Sequence, residues 1–171
     1  MNPHLSYSRD TDQEGQWNDG NPWFERVRPL LTGIPPTTVV LDCGCNSGGL
    51  GRRLTREMGC FVVGVDLAFH LLHEARKKGY VAVLQADAAA LPFRRDSFPV
   101  VVLSEILEHV DDPVACVEEA ARVLMPRGWL LGDVPTWFGR WGLRSLGGHK
   151  WHVRTLSERR LRALQIGRAH V

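Results

Sequence analysis

Three aspartates and one acidic turn carry most of the chemistry this chain can do. Asp42 closes the apolar run Val39-Val40-Leu41 and precedes Cys43-Gly44-Cys45-Asn46-Ser47-Gly48-Gly49, a tight loop of small residues. Gly44 and Gly48 lack a Cβ, so a ligand can lie directly against the backbone there. Asn46 is among the few non-glycine types that tolerate a left-handed backbone. A negative charge at Asp42 disfavours phosphate and points to a nucleoside ligand that is neutral or cationic at that end. Asp66 closes a second apolar run, Phe61-Val62-Val63-Gly64-Val65, one strand–helix unit further on. A carboxylate there can accept from both hydroxyls of a ribose, or it can cap the next helix. Asp87 opens the stretch Asp87-Ala88-Ala89-Ala90-Leu91-Pro92-Phe93. Later, Ser104-Glu105-Ile106-Leu107-Glu108-His109-Val110 spaces two carboxylates and an imidazole at i, i+3 and i+4. On a helical turn these share one face, and such a set can hold a hard divalent ion such as Mg²⁺.

Alternating strands and helices are expected to position these groups. Asn21 reads as a helix cap and Pro22 as the first helical position, with the helix running to about Leu31 and ending over Gly33 to Pro36. A helix from Gly48 to Met58 stops at Gly59. Another, Ala68 to Lys78, ends in basic residues before Gly79. Strands are expected at Val81 to Ala86, Pro99 to Ser104 and Trp129 to Val134, with a helix from Pro113 to Leu124. Strand and helix alternate at short spacing without internal repeats, which indicates a doubly wound, mostly parallel α/β sheet. Ligands bind such sheets beyond the carboxyl ends of the strands, where each of the groups above falls.

Size and composition set outer bounds. At 171 residues, 44% hydrophobic and 23% charged, the chain reads as one ordinary globular domain. Nothing approaches a transmembrane span, and the N-terminus lacks a signal-peptide plan. Cys43, Cys45, Cys60 and Cys116 form no CxxC pair, which argues against a zinc site or redox motif. Thiols in a reducing cytoplasm are the expectation. Basic residues cluster from Arg140 to Arg162. A solvated basic face explains them, with RNA or an anionic substrate as the alternative.

Taken together, the motifs resemble the class I S-adenosylmethionine-dependent methyltransferases over about Val39 to Pro135. The loop matches the family's acidic-x-Gly-x-Gly-x-Gly signature at Asp42, Gly44 and Gly48, with Asn46 where the middle Gly is usual. Gln85 to Phe93 is similar to the Asp-Ala-x-x-Leu-Pro-Phe stretch after the third strand, in which Asp87 matches the acceptor of the adenine amino group. Asp96-Ser97-Phe98 leads into the fourth strand, with Pro99 in place of an Asp. Arg122-Val123-Leu124-Met125-Pro126-Arg127-Gly128 resembles the turn into strand five, with Arg127 in place of a Gly. The resemblance implies a Rossmann-like fold, five of the usual seven strands being present, and S-adenosyl-L-methionine as cofactor. It implies cofactor contacts at Asp42, Gly44, Cys45, Asn46, Gly48, Asp66, Leu67, Asp87, Ala88 and Ser104. The expected organisation is a lead-in and helix over 1–36 and a methyltransferase domain over 37–164. Residues 165–171 read as a translated sequencing adapter outside the fold. A five-stranded sheet would leave an uncovered edge, with poor solubility as the expected consequence.

The turn at Glu105, Glu108 and His109 is similar to that of the ubiquinone-biosynthesis O-methyltransferases and the small-RNA 2′-O-methyltransferases, both metal-dependent. The latter carry a further His, for which His149 in Gly148-His149-Lys150-Trp151-His152 is the matching candidate. The competing reading is a Glu-His-Val turn without metal, in which His109 packs beside the substrate. His109 and His149 are the candidates for proton removal. Trp137, Phe138 and Trp141 are candidate pocket residues, and Trp17 and Trp23 candidate lid residues, each with plain packing as the alternative. The methyl acceptor is expected to be a small molecule. A nicotinamide-dependent oxidoreductase and a non-catalytic binding domain are the rival functions, and the oligomeric state is not legible.

Overall fold

Runs of β-branched residues build a parallel sheet. In a computed structural model that describes residues 22–133, the elements are α1 (Pro22–Leu31), β1 (Val39–Cys43), α2 (Gly49–Met58), β2 (Phe61–Asp66), α3 (Phe69–Lys77), β3 (Ala82–Gln85), β4 (Phe98–Ser104), α4 (Pro113–Val123) and β5 (Leu124–Asp133). The strand order is β3-β2-β1-β4-β5, with every pair parallel. Asp42 lies opposite Gly64 on β2 and Val102 on β4, so β1 is central. The chain steps outward from β1 to β3, then returns to pair β4 against β1. That reversal opens a crevice at the carboxyl ends of β1 and β4.

The two-residue side-chain period sorts the sheet into two cores. Val40, Val62, Val100 and Val102 pack with Leu50 and Leu54 of α2, Leu72 and Ala75 of α3, and Phe24 and Leu31 of α1. Leu41, Cys43, Val65, Val101 and Leu103 pack on the other side with Cys116, Val117, Ala120 and Val123 of α4. Each side chain buried on both faces of such a sheet contributes roughly 1.5–3 kcal/mol. Arg53 of α2 fastens α1. Its guanidinium lies 4.0 Å from the centre of the Phe24 ring and donates to Glu25 (2.6 Å) and Glu57 (2.7 Å).

The expected elements are present, with ends shifted by one or two residues, except at β5. Leu124 pairs with Phe98, and the next pair is Val100 with Trp129. Helix α4 therefore runs straight into the strand, and Met125 to Gly128 bulge out between the two pairings, where a turn before Trp129 was expected. Arg127 sits in this bulge at φ +63°. A left-handed backbone costs a side-chain-bearing residue roughly 1–2 kcal/mol, of which glycine's extra chain entropy returns part. Arg127→Gly should therefore raise stability by about 0.5–1 kcal/mol, measurable as a higher midpoint in urea.

Candidate functional site

The loop between β1 and α2 uses its own amides. Gly44 N and Cys45 N donate to Val65 O at 2.8 and 3.0 Å, and Gly48 N donates to Cys45 O at 2.9 Å. Asn46 N donates to Asp66 Oδ2 at 2.8 Å, and Ser47 N donates to Asn46 Oδ1 at 2.6 Å. All five amides from Gly44 to Gly48 are thus bound within the protein. A phosphate cradle needs such amides directed at the ligand. This loop holds a carboxylate in that role instead.

The glycines of the loop also serve packing. A Cβ on Gly44 would fall 2.7 Å from the Ile106 side chain, and one on Gly48 would fall 2.6 Å from Ala75 Cα. Both glycines are left-handed, at φ +74° and +86°, and Asn46 takes the same region at φ +48°. Gly51 and Gly64 make room for Tyr80, whose ring a Cβ on either would enter at 2.1 and 2.8 Å. Tyr80 itself is buried.

Tyr80 ties this socket to Asp42. Its hydroxyl donates to Asp42 Oδ2 at 2.5 Å and accepts from Gly51 N at 3.0 Å. Asp42 is 2% exposed, so it lies beneath the loop rather than on the crevice surface. Burial pushes its carboxyl up from 3.8 to about 7, the Tyr80 hydrogen bond pulls it back, and the Asp66 charge raises it further. No sequence signal marked Tyr80 itself. The two glycines that it demands, one inside a helix and one inside a strand, were the available hint.

Asp66 both caps and ties. Oδ1 accepts from Ala68 N at 2.8 Å, while Oδ2 holds the loop through Asn46 N. Burial raises its pKa, and the N–H donors of Ala68, Asn46 and Leu67 lower it, with His70 adding to that lowering. A carboxylate has about four lone-pair sites, so beside these three donors capacity remains for a further one such as a hydroxyl. Beside it Leu67 and Phe69 are large apolar residues left exposed. Asp87 follows β3, exposed, with Oδ1 accepting from Ala89 N at 2.8 Å. The stretch after Asp87 is clamped from α4. Arg122 donates to Phe93 O (2.8 Å) and Leu91 O (3.0 Å), and Glu119 Oε2 accepts from Leu91 N (2.8 Å). Arg122, which the sequence marks only as part of the turn into strand five, therefore shapes the loop beside the crevice. The side chains of Cys45 and Ala88 are buried in the two cores, and Ser104 is buried at the end of β4.

The acidic turn does not form the face expected of it. Glu105 is exposed at φ +47°, outside any helical turn, whereas Glu108 is buried, 1% exposed. His109 closes a single turn through its N–H to Ile106 O at 2.9 Å, and its Nε2 lies 3.8 Å from Glu108 Oε1. Among the described residues no three His, Cys, Asp or Glu side chains are placed to hold a metal ion. His149, Trp17, Trp137, Phe138, Trp141, the expected end of β5 at Val134, and the 165–171 tail lie outside the described residues, as does the side chain of Trp23.

The residues at the crevice fit a cationic nucleoside cofactor. Asp66 offers remaining acceptor capacity for a ribose hydroxyl, exposed Leu67 offers an apolar surface for a base, and two neighbouring carboxyls favour positive charge over phosphate. Comparison with known proteins agrees. The chain is similar to a ubiquinone biosynthesis O-methyltransferase of Nitrosospira multiformis, 38% identical over 67% of this chain and 54% of that protein. It is also similar to a tRNA (carboxymethyluridine(34)-5-O)-methyltransferase of Arabidopsis thaliana, 32% identical over 63% of this chain and 26% of that protein. The chain spans about half or less of the length of these curated relatives. In fold it resembles a SAM-dependent methyltransferase of Thermotoga maritima, with a TM-score of 0.67 at 23% identity over 88% of this chain and 76% of that one. The family model described as "Methyltransferase domain" matches residues 41–132, more than half of the sequence, and the chain belongs to that family, among the class I S-adenosylmethionine-dependent methyltransferases.

Proposed function

We propose that this chain binds S-adenosyl-L-methionine over the carboxyl ends of β1 to β3 and transfers its methyl group to an oxygen or nitrogen of a small-molecule acceptor. The observation that carries the reading is the loop whose amides are all used internally, one of them by Asp66. None of the amides from Gly44 to Gly48 is left for a pyrophosphate, which a nicotinamide dinucleotide sets against such a loop. The bound cofactor supplies an activated methyl group on a positively charged sulfur.

The chain's residues supply alignment and exclusion of water. Asp66 accepts from the ribose hydroxyls, and Asp87 accepts from the adenine amino group. Leu67 covers a face of the base, and the main chain of Gly44 to Asn46, Gly48 and Ala88 follows the remainder, with Ser104 at the floor. His109, at the mouth beyond β4, takes the proton of the acceptor, with His149 the second candidate. The small-molecule acceptor is supported by the similarity to ubiquinone biosynthesis O-methyltransferases. RNA is the second reading, which the tRNA-modifying relative favours. A domain spanning 37–164 and a cytoplasmic setting belong to the same proposal. Four buried cysteines in no disulfide support that setting, and no described helix is long and apolar enough to cross a membrane.

Calorimetry with S-adenosylhomocysteine and with NADH tests this reading. The expected result is saturable heat with the first, absent with the second. Asp66→Ala should weaken that binding about 100-fold, because it removes the ribose acceptor and unties Asn46 together. Heat with NADH alone would remove the proposal.

A further inference from the structure

Tyr80 takes no part in the contacts above, yet its position is heavily specified. Gly48, Gly51 and Gly64 are all cleared around its ring, and its hydroxyl joins the Asp42 carboxyl to the first turn of α2. This costs the chain small residues inside a helix and a strand, where glycine is unfavourable. Plain core packing would be met by a phenylalanine. The hydroxyl has a specific recipient, a carboxyl directly under the cofactor loop.

We propose that Tyr80 is a positioning residue that holds Asp42 as an oriented counter-charge beneath the glycine loop, and that this pair sets the preference for the cationic methyl donor over its neutral product. The inference rests on the cofactor reading above. The groups that act on the Asp42 carboxyl are Tyr80 and Asp66 from β2, and Lys78 reaches the loop above it, its Nζ 3.4 Å from Ser47 Oγ. Tyr80 and Asp66 carry no positive charge, so a positively charged sulfur arriving above the loop is drawn by the carboxylate beneath it. Burial holds the Asp42 carboxyl at about 7, and the Tyr80 donor favours its ionised form. The preference should therefore grow as pH rises through neutrality. Removing the hydroxyl should move that growth to higher pH.

The test is calorimetric affinity for S-adenosylmethionine and S-adenosylhomocysteine from pH 6 to 9, in the wild type, Tyr80→Phe and Asp42→Asn. In the wild type the affinity ratio of donor to product should rise about tenfold across neutrality, as expected for one charge acting at an effective dielectric of about 20. Asp42→Asn should show only the ligands' own titration, and Tyr80→Phe should delay the rise by about one pH unit. Tyr80→Phe keeps the ring in its socket; should it still fail to fold, the Asp42→Asn arm decides alone. An unchanged rise in Asp42→Asn, or an unshifted midpoint in Tyr80→Phe, overturns the proposal. Absence of binding by either ligand to the wild type at every pH refutes the cofactor reading instead.

Discussion

Asp42→Asn should make this protein more stable at pH 8, by up to about 4 kcal/mol, while impairing its use of a cationic cofactor. The folded chain holds the Asp42 carboxyl near 7 against an ordinary value of 3.8, with burial as the main cause. A group whose folded pKa is raised stabilises the fold fully below its unfolded pKa, and that stability is lost as pH rises through the folded value. The wild type should therefore lose stability between about pH 4 and pH 7 relative to the variant, and the difference should level off above pH 8. Urea titrations of both proteins across that range give the difference curve, in which the other acids cancel. A flat difference would mean that Asp42 is not held as a buried acid. The gain on neutralising it would show that the carboxylate is kept at a cost to the fold, as sites for charged ligands often are.

Gly51→Ala should destabilise the protein by about 3 kcal/mol, although Ala is favoured over Gly in a helix by about 1 kcal/mol. The new Cβ would stand 2.1 Å from Tyr80 Cζ and 2.3 Å from its oxygen. The ring cannot retreat, because Gly64 and Gly48 close on it and its hydroxyl is held by Asp42. Gly33→Ala is the control: nothing lies within 4 Å of its Cβ position, so a change of a few tenths of a kcal/mol is expected. Combining Gly51→Ala with Tyr80→Ala should cost less than the sum of the two, by about 2 kcal/mol, since the larger residue is then gone. Additive costs would place the strain elsewhere.

What was legible in the sequence was whatever neighbouring residues decide. Val40 to Asp42 are buried on both faces, Val62, Gly64 and Val65 are buried, and the β-branched runs around them say so. Gly59 ends α2 in the left-handed region, as local chemistry directs. What escaped was set by distant partners. Tyr80 meets Asp42 across 38 residues and Gly51 across 29, and nothing near it in the chain announces either. Leu124 belongs to β5 because Phe98 receives it, a fact of the sheet rather than of the turn that follows. Glu105 takes a left-handed backbone ahead of the turn that holds Glu108 and His109, which residue spacing does not encode. The candidate site was thus visible as a set of carboxylates at strand ends, while the division of labour among them was not. Asp66 lies at the crevice, and Asp42 lies beneath it.

The crystal structure of the protein with S-adenosylhomocysteine is the most direct trial of this account. It should show both ribose hydroxyls on the Asp66 carboxylate, the adenine amino group toward Asp87, and the Asp42–Tyr80 pair intact below the loop. A nucleoside seated away from the ends of β1 to β3, or Asp66 turned from it, would contradict the account at its base.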